Sequence, residues 1–283
     1  AVTFSEPVTG VDAADLLLNG TPALSVAGSG VNYTFAVTAP GSSSTSAVNV
    51  TWAATNGIMD VALEPNAFNG TSTNATWRFI YDPRVVLVQS NSNWRFVKGL
   101  EEASQPVSAW RQLSFDASGW SNAPAPFFFG DPYTNATTSG TLLSDMLSNY
   151  TTIFLRKEFF VANRGEILSL LLNHQTDDGL IAWLNGVEVL RYNVPNGANG
   201  DLPFNAIAVN PANEPGNAGA AFIVATLTNA AVSRLVNGTN VLAVQVFNQS
   251  LTNSTDFGFN AQLYYFPIDP ATVPPRVVST DPP

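Results

Sequence analysis

Cysteine is absent from this 283-residue chain, and histidine occurs once, as His174. The absence of thiols excludes disulfides, thiolate zinc sites, iron–sulfur clusters and cysteine nucleophiles. A single imidazole likewise excludes any metal centre built from several histidines. A Ser-His-Asp triad would place His174 beside a serine in a strained turn, yet the sequence contains no Gly-x-Ser-x-Gly motif. We therefore interpret His174 as structural and expect no enzymatic activity.

Charged residues are also scarce. They make up 11% of the chain, against about 25% in ordinary soluble proteins, so the polar surface must consist largely of Asn, Ser and Thr. The formal net charge of −10 would repel a phosphate backbone, which argues against a nucleic-acid partner. No stretch reaches the roughly 18 apolar residues of a membrane span. This composition is typical of secreted β-proteins, and we expect an extracellular or cell-surface location.

Asn-x-Ser/Thr sequons are abundant, which supports the same location. The ten sequons are about twice the number expected from the Asn, Ser and Thr content, and nine of them carry Thr. One interpretation is a heavily N-glycosylated secreted protein, and the other is an Asn- and Thr-rich composition without glycans. The candidate glycosylation sites are Asn19, Asn32, Asn49, Asn69, Asn74, Asn135, Asn149, Asn237, Asn248 and Asn253.

Apolar and polar residues alternate through the first 82 residues. In the stretch 31–38 the odd positions are apolar and Asn32 faces outward, and the same period of two recurs at 48–52 and 77–81. Such alternation is typical of half-buried antiparallel strands. Gly, Asn and Pro clusters separate the strands. We predict a small β-sandwich over 1–82, with a domain boundary at Tyr81-Asp82-Pro83.

The patterns beyond the boundary predict a second β-domain over 83–268. We expect strands at 153–161, 167–174, 180–184, 187–192, 240–247 and 257–265. Residues 180–190 form a hairpin pattern around Asn185-Gly186, a pair that tolerates the positive φ angles of a tight turn. The final segment, 269–283, is rich in proline and can form one short edge strand at most. The predicted fold class is thus all-β.

The segment Thr3-Phe4-Ser5-Glu6-Pro7-Val8, followed by 11–16, resembles the bacterial Ig-like modules of surface-layer and large secreted repeat proteins. In that family an opening strand resembling Pro-Pro-x-Val-Val-Ser-Thr-x-Pro comes about a dozen residues before the Thr-Phe-Ser-Glu-Pro strand. Here no such strand precedes Ala1, and the matching segment stands instead at 274–282. The resemblance implies an Ig-like β-sandwich that lacks its first strand, and it implies nothing about chemistry.

The second part resembles a galactose-binding-like jelly roll over about 94–265. The similarity rests on Phe115-Asp116 with Trp120, on Phe129-Gly130-Asp131, on Asp177-Asp178-Gly179 with Trp183-Leu184-Asn185-Gly186, and on the strand 237–246. Related modules occur in large secreted bacterial proteins and in the non-catalytic sugar-binding domain of β-galactosidase-type hydrolases. The resemblance implies a fold first, and sugar binding only for some members.

A sandwich without its first strand exposes unpaired backbone groups and an apolar groove, which is a template for another chain. We expect the acceptor edge near Val2 and Phe4, and the donor strand to be Arg276, Val277, Val278, Ser279 and Thr280. The partner is then a copy of the chain itself, joined head to tail into an open filament. Two alternatives remain: the tail begins the next module of a longer tandem chain, or it is a linker without a partner.

Other candidate sites each have a simpler explanation. Asp177 and Asp178, with Asp256, can offer oxygen ligands to calcium, or else form a turn with local hydrogen bonds. Glu101, Glu102 and Glu188 show no motif for glycoside cleavage. The tryptophans of the second part can stack on sugars, but such residues more often lie in a core. Three successive aromatics cannot all face inward on a strand, so we expect an interface at Phe127, Phe128 and Phe129.

These observations favour a non-catalytic extracellular structural protein, a subunit or repeat of a surface filament, stalk or adhesin. A pair of carbohydrate-binding modules from a secreted hydrolase or adhesin is the alternative.

Overall fold

A computed structural model describes residues 1–41, 44–130, 140–196, 200–212, 222–227 and 229–267. The described residues form two compact units, divided between Arg84 and Val85. Both units consist mainly of antiparallel strand pairs, so the predicted all-β fold class is confirmed. No helix in these ranges has the length and apolar character needed to cross a bilayer.

The first unit contains seven strands in two sheets. One sheet has the order β4-β1-β6 and the other has the order β3-β2-β5-β7. The strands are β1 (Val2–Thr9), β2 (Leu16–Leu18), β3 (Thr21–Pro22), β4 (Ser25–Ala36), β5 (Ser46–Trp52), β6 (Met59–Asp60) and β7 (Trp77–Tyr81).

The core of this unit follows the period of two. On β5, Val48, Val50 and Trp52 are buried, while Asn49 between them is exposed. From β1, Phe4 places its ring 5.7 Å from that of Trp52 and 5.3 Å from that of Phe68. Aromatic rings at such separations pack edge to face with favourable energy. A compact aromatic cluster therefore joins the two sheets.

In the described ranges the second unit contains twelve strands, all of them in two larger sheets. One sheet has the order β10-β9-β13-β18-β15-β16, and the other has the order β12-β11-β19-β14-β17, with β8 also paired to β19. The strands are β8 (Val85–Val88), β9 (Asn93–Lys98), β10 (Ser121–Pro124), β11 (Phe127–Phe129), β12 (Thr141–Leu142), β13 (Thr152–Val161), β14 (Leu170–Asp177), β15 (Gly179–Leu184), β16 (Val187–Tyr192), β17 (Ile223–Leu227), β18 (Gly238–Phe247) and β19 (Phe257–Tyr265).

The hairpin predicted around Asn185-Gly186 is confirmed. Strands β15 and β16 pair antiparallel from Leu184 and Val187 outward. Asn185 and Gly186 have φ angles of 48° and 88°. Positive φ at both central residues is the requirement of a type I′ turn, which Asn-Gly satisfies at low cost.

The second unit has two separate apolar clusters. The main core, which includes Trp94, Phe127 and Phe259, lies between the two sheets. A second cluster, with Trp110 and Trp183, covers the opposite face of the sheet that contains β13 and β18. That sheet is therefore buried on both faces, which explains why β18 is a continuous run of buried, mostly apolar residues and not an alternating one.

Candidate functional site: a groove beside the first strand

Strand β1 leaves most of one edge unpaired. On one side it pairs with β4, through Val2 and Tyr33, Thr3 and Asn32, and Val8 and Gly30. On the other side only Val8 and Thr9 pair, with the two-residue strand β6. Within the described chain, no strand lies against Val2–Glu6 on that side. The backbone groups along this edge are available to an additional strand.

Strand β7 shows that the interior of this unit is incompletely covered. Trp77 pairs with Val50, and Phe79 pairs with Val48. Directly opposed residues on neighbouring strands lie on the same face of a sheet, so both aromatic side chains share the face of two buried valines. They are nevertheless 43% and 41% exposed. The sheet thus presents large apolar side chains on its inner face that the described part of the unit covers only in part.

A groove of about 580 Å³ runs between these two features. Residues 1–6 line one part of the groove, and Trp77 lines it as well. Aromatic and small apolar side chains line the remainder, together with two carboxylates. The described lining residues are Ala1, Val2, Thr3, Phe4, Ser5, Glu6, Val8, Trp52, Asp60, Asn66, Ala67, Phe68, Ser72, Asn74, Ala75 and Trp77.

The groove is negatively charged at its rim. Glu6 and Asp60 are the ionisable side chains among the described lining residues, and no Lys or Arg lines it. The side-chain amide and backbone N–H of Asn66 donate to the carboxylate of Asp60, and the N–H of Ala62 does the same. These hydrogen bonds lower the pKa of Asp60, so this group is ionised at neutral pH.

The structure therefore places the predicted acceptor residues, Val2 and Phe4, along an open groove. The ring of Phe4 itself belongs to the aromatic core, and Val2 is half-buried. The predicted donor segment, Arg276–Thr280, lies outside the described residues. The exposure of Trp77 and Phe79 was missed in the sequence, because the alternating pattern of 77–81 marks them as core residues.

Eight of the predicted glycosylation sites are exposed, and one other, Asn135, lies outside the described residues. Asn248 requires a correction. It is 3% exposed, its side-chain amide donates to the carbonyl of Asp256, and its side-chain oxygen accepts from the N–H of Ser250. A glycan on this nitrogen has no path to solvent in the folded unit. The sequon pattern records only local residue types and carries no information on burial.

Of the predicted interface residues Phe127, Phe128 and Phe129, only the first is excluded from the surface. Phe127 is fully buried in the main core, Phe129 packs against the same core, and Phe128 is half-buried. The strand pairs with β19 on one side and β12 on the other. Phe127 therefore cannot contribute to an exposed apolar patch, and an interface at Phe128 and Phe129 stays a prediction.

Asp178 has a different environment from that of a calcium ligand. It is buried, and its two carboxylate oxygens accept hydrogen bonds from the backbone N–H groups of Ala212 and Gln249, both at 2.6 Å. No cluster of three or more His, Asp or Glu side chains suited to a metal occurs in the described ranges. As in the turn interpretation, the carboxylate of Asp178 accepts from backbone N–H groups. Here, however, the donors belong to segments far away in sequence and not to the turn itself. Asp256 accepts from the hydroxyl of Ser254.

His174 continues the inward-facing row of β14 and is 1% exposed. Its Nδ1 lies 2.9 Å from the hydroxyl oxygen of Thr176, and the ring of Tyr192 packs 5.1 Å away. Burial lowers the pKa of this imidazole to about 4, so it is neutral in the folded protein at pH 7.

The remaining candidates have structural roles. Glu102 accepts from the N–H of Phe204, and Glu188 forms an ion pair with Arg191. The tryptophans of the second unit are mostly core residues: Trp94, Trp110 and Trp183 are buried, and Trp120 is half-buried.

No pattern in the sequence indicates the role of Arg156. This side chain is buried under the second apolar cluster, and its guanidinium donates to the backbone carbonyls of Trp110, Gln112 and Phe115. It thereby holds the segment 110–115 against the sheet. Beside it lies a second, polar groove of about 370 Å³, lined by Asn93, Arg95, Phe115, Asp116, Ala117, Ser118, Asn122, Arg156, Lys157 and Glu158.

No protein-family model and no curated protein matches this chain. Among solved structures, a Bacteroides uniformis β-glucuronidase is similar at 17% identity and a TM-score of 0.39, covering 64% of this chain and 18% of its own. An uncultured Clostridium sp. β-glucuronidase gives 13% identity, a TM-score of 0.38, and coverage of 66% and 30%. A Bacteroides vulgatus β-glycosidase gives 15% identity and a TM-score of 0.36, with coverage of 63% of this chain and 20% of its own. The chain spans less than a third of each enzyme, and similarity at this level carries no argument about its activity.

Proposed function

We propose that this protein is a non-catalytic extracellular structural module whose first unit is completed by a strand from a neighbouring module. The observation that carries the proposal is the open groove beside Val2–Glu6, with Trp77 exposed on the inner face of the facing sheet. The donor is the segment Arg276–Thr280 of the neighbour. Repeated head to tail, this contact joins modules into a filament, stalk or adhesin shaft.

The dimensions of the groove support this assignment. The free edge of β1 spans the five residues Val2–Glu6, which at about 3.3 Å per residue is roughly 17 Å. The segment Arg276–Thr280 also has five residues, and prolines at 274, 275, 282 and 283 limit a strand to about this length. Each backbone hydrogen bond to the edge adds about 0.5–1.5 kcal/mol, and burial of a valine adds about 1.5–3 kcal/mol. Ordering of the segment opposes these terms.

Assembly of the full chain tests the proposal. We expect size-exclusion chromatography with light scattering, and electron microscopy, to show end-to-end chains that grow with concentration. Deletion of 274–283 should leave monomers, and an excess of a 274–283 peptide should shorten the chains. If modules are instead linked in one chain, a two-copy tandem should show protection of β1 and β7 from hydrogen exchange in the second copy only. Equal assembly with and without the tail, and equal protection in both copies, would refute strand donation.

Carbohydrate binding is the second candidate function. It is favoured by the polar groove of the second unit, which combines amides at Asn93 and Asn122, charges at Arg95 and Asp116, and the ring of Phe115. Binding sites for polar ligands combine an apolar surface with a few directed polar groups in this way. A glycan array followed by titration of the best hit against an Asn122→Ala variant tests it. Absence of any glycan signal, or unchanged affinity in the variant, would exclude this groove as a sugar site.

A further inference from the structure

The two ends of the groove differ, and this difference indicates the direction in which the donated strand binds. The inference rests on the proposed function. One end of the free edge of β1 is closed, because β6 already pairs with Val8 and Thr9 there. The other end, at Ala1, has no such pairing. An incoming strand therefore occupies a slot with one blocked end and one open end.

Charge distinguishes the two ends of this slot. Glu6 lies on the edge next to the blocked end, and Asp60 belongs to β6, which forms the block. Both carboxylates line the groove. The donor segment carries one cation, Arg276, at its beginning, and Pro274-Pro275 stands directly before it. Proline has no N–H to donate, so a strand must end there.

We infer that the strand Arg276–Thr280 of a neighbouring copy adds antiparallel to β1, with Arg276 at Glu6 and Asp60 and with Val278 turned into the groove. In this orientation the two prolines meet the blocked end, where no further pairing is available. Thr280 lies opposite Val2, and Asp281, the acidic residue of the tail, leaves at the open end, away from Glu6 and Asp60. A parallel strand would instead bring Asp281 toward these two carboxylates.

The register follows from the same pairing. With Arg276 opposite Glu6, Val278 lies opposite Phe4, whose side chain faces the core. Directly opposed residues share a face, so Val278 enters the apolar part of the groove near Phe68 and Trp77. Val277 then lies opposite the exposed Ser5 and faces solvent. Two adjacent valines thus have unequal roles, which gives the inference a matched pair of variants.

Substitution of the two valines tests which one faces inward. We expect Val278→Asn to weaken assembly at least about tenfold, and Val277→Asn to change it by less than about threefold. Both positions lie in the tail, so neither substitution alters the core of the described units. The opposite ranking, or equal effects, would overturn the register.

Cysteine cross-linking tests the direction, and a chain without native cysteine makes any new disulfide unambiguous. A Glu6→Cys protein mixed with a differently tagged Arg276→Cys protein should form mixed disulfides, whereas Val2→Cys mixed with Arg276→Cys should not. If only the Val2 pair reacts, the strand is parallel: the orientation is wrong, but strand donation stands. If neither pair reacts while the chains still assemble, the groove is not the docking site, and both proposals fail.

Discussion

Titration of His174 measures how well the second unit excludes water from its core. Burial lowers the pKa of this imidazole from 6.5 to about 4, because the charged form loses its hydration in the apolar interior. At 1.36 kcal/mol per pH unit, the difference corresponds to about 3 kcal/mol. The unfolded chain binds a proton below pH 6.5 and the folded chain does not, so stability falls as the pH drops from 6.5 toward 4 and is constant above that range.

One histidine makes the measurement direct, because every imidazole C–H signal in an NMR titration belongs to His174. The free energy of opening of β14, measured by hydrogen exchange, should fall by about 3 kcal/mol between pH 7 and pH 4. In a His174→Asn variant this part of the pH dependence should vanish, and the part due to carboxylates should remain. A pKa of 6 or above, or identical pH slopes in the two proteins, would refute the assignment of His174 as a buried neutral side chain.

Three further predictions concern the second unit. Arg156→Met should destabilise it by about 3 kcal/mol, because three backbone carbonyls lose a buried cationic donor, whereas Arg95→Ala, at an exposed position, should cost less than about 1 kcal/mol in urea unfolding. Asp178→Ala should lower the free energy of unfolding by about 2 kcal/mol, because the backbone N–H groups of Ala212 and Gln249 lose their acceptor. EDTA should leave the melting temperature of the native protein unchanged, and a lower melting temperature with EDTA would restore the calcium interpretation. In a glycosylating host, peptide mass spectrometry should find Asn248 unmodified and Asn253, five residues on and exposed, occupied; a glycan on Asn248 would contradict its burial.

The strands were predictable where a local pattern had one physical cause. The period of two in β5 follows from a sheet with one face buried in the core and the other in solvent. The tight turn at Asn185-Gly186 follows from backbone sterics alone. The burial of Phe127 and Asn248 was missed for the opposite reason. It depends on segments far away in sequence that pair with each residue, and no local pattern contains that information.

The groove shows the same division. The sequence placed its acceptor edge near Val2 and Phe4 through a resemblance, while the exposure of Trp77 became visible only when β7 was paired with β5.

The amino-acid sequence by itself determined that this protein is built from β-strands and that it has no thiol chemistry, because composition and two-residue periodicity act locally. Only the tertiary structure decided which side chains are buried and which edge of β1 remains unpaired. It also decided which distant backbone segments Arg156 and Asp178 bind through hydrogen bonds. Those outcomes depend on the packing of residues far apart along the chain, and the free energy of that packing is fixed by neighbours that the local sequence does not specify.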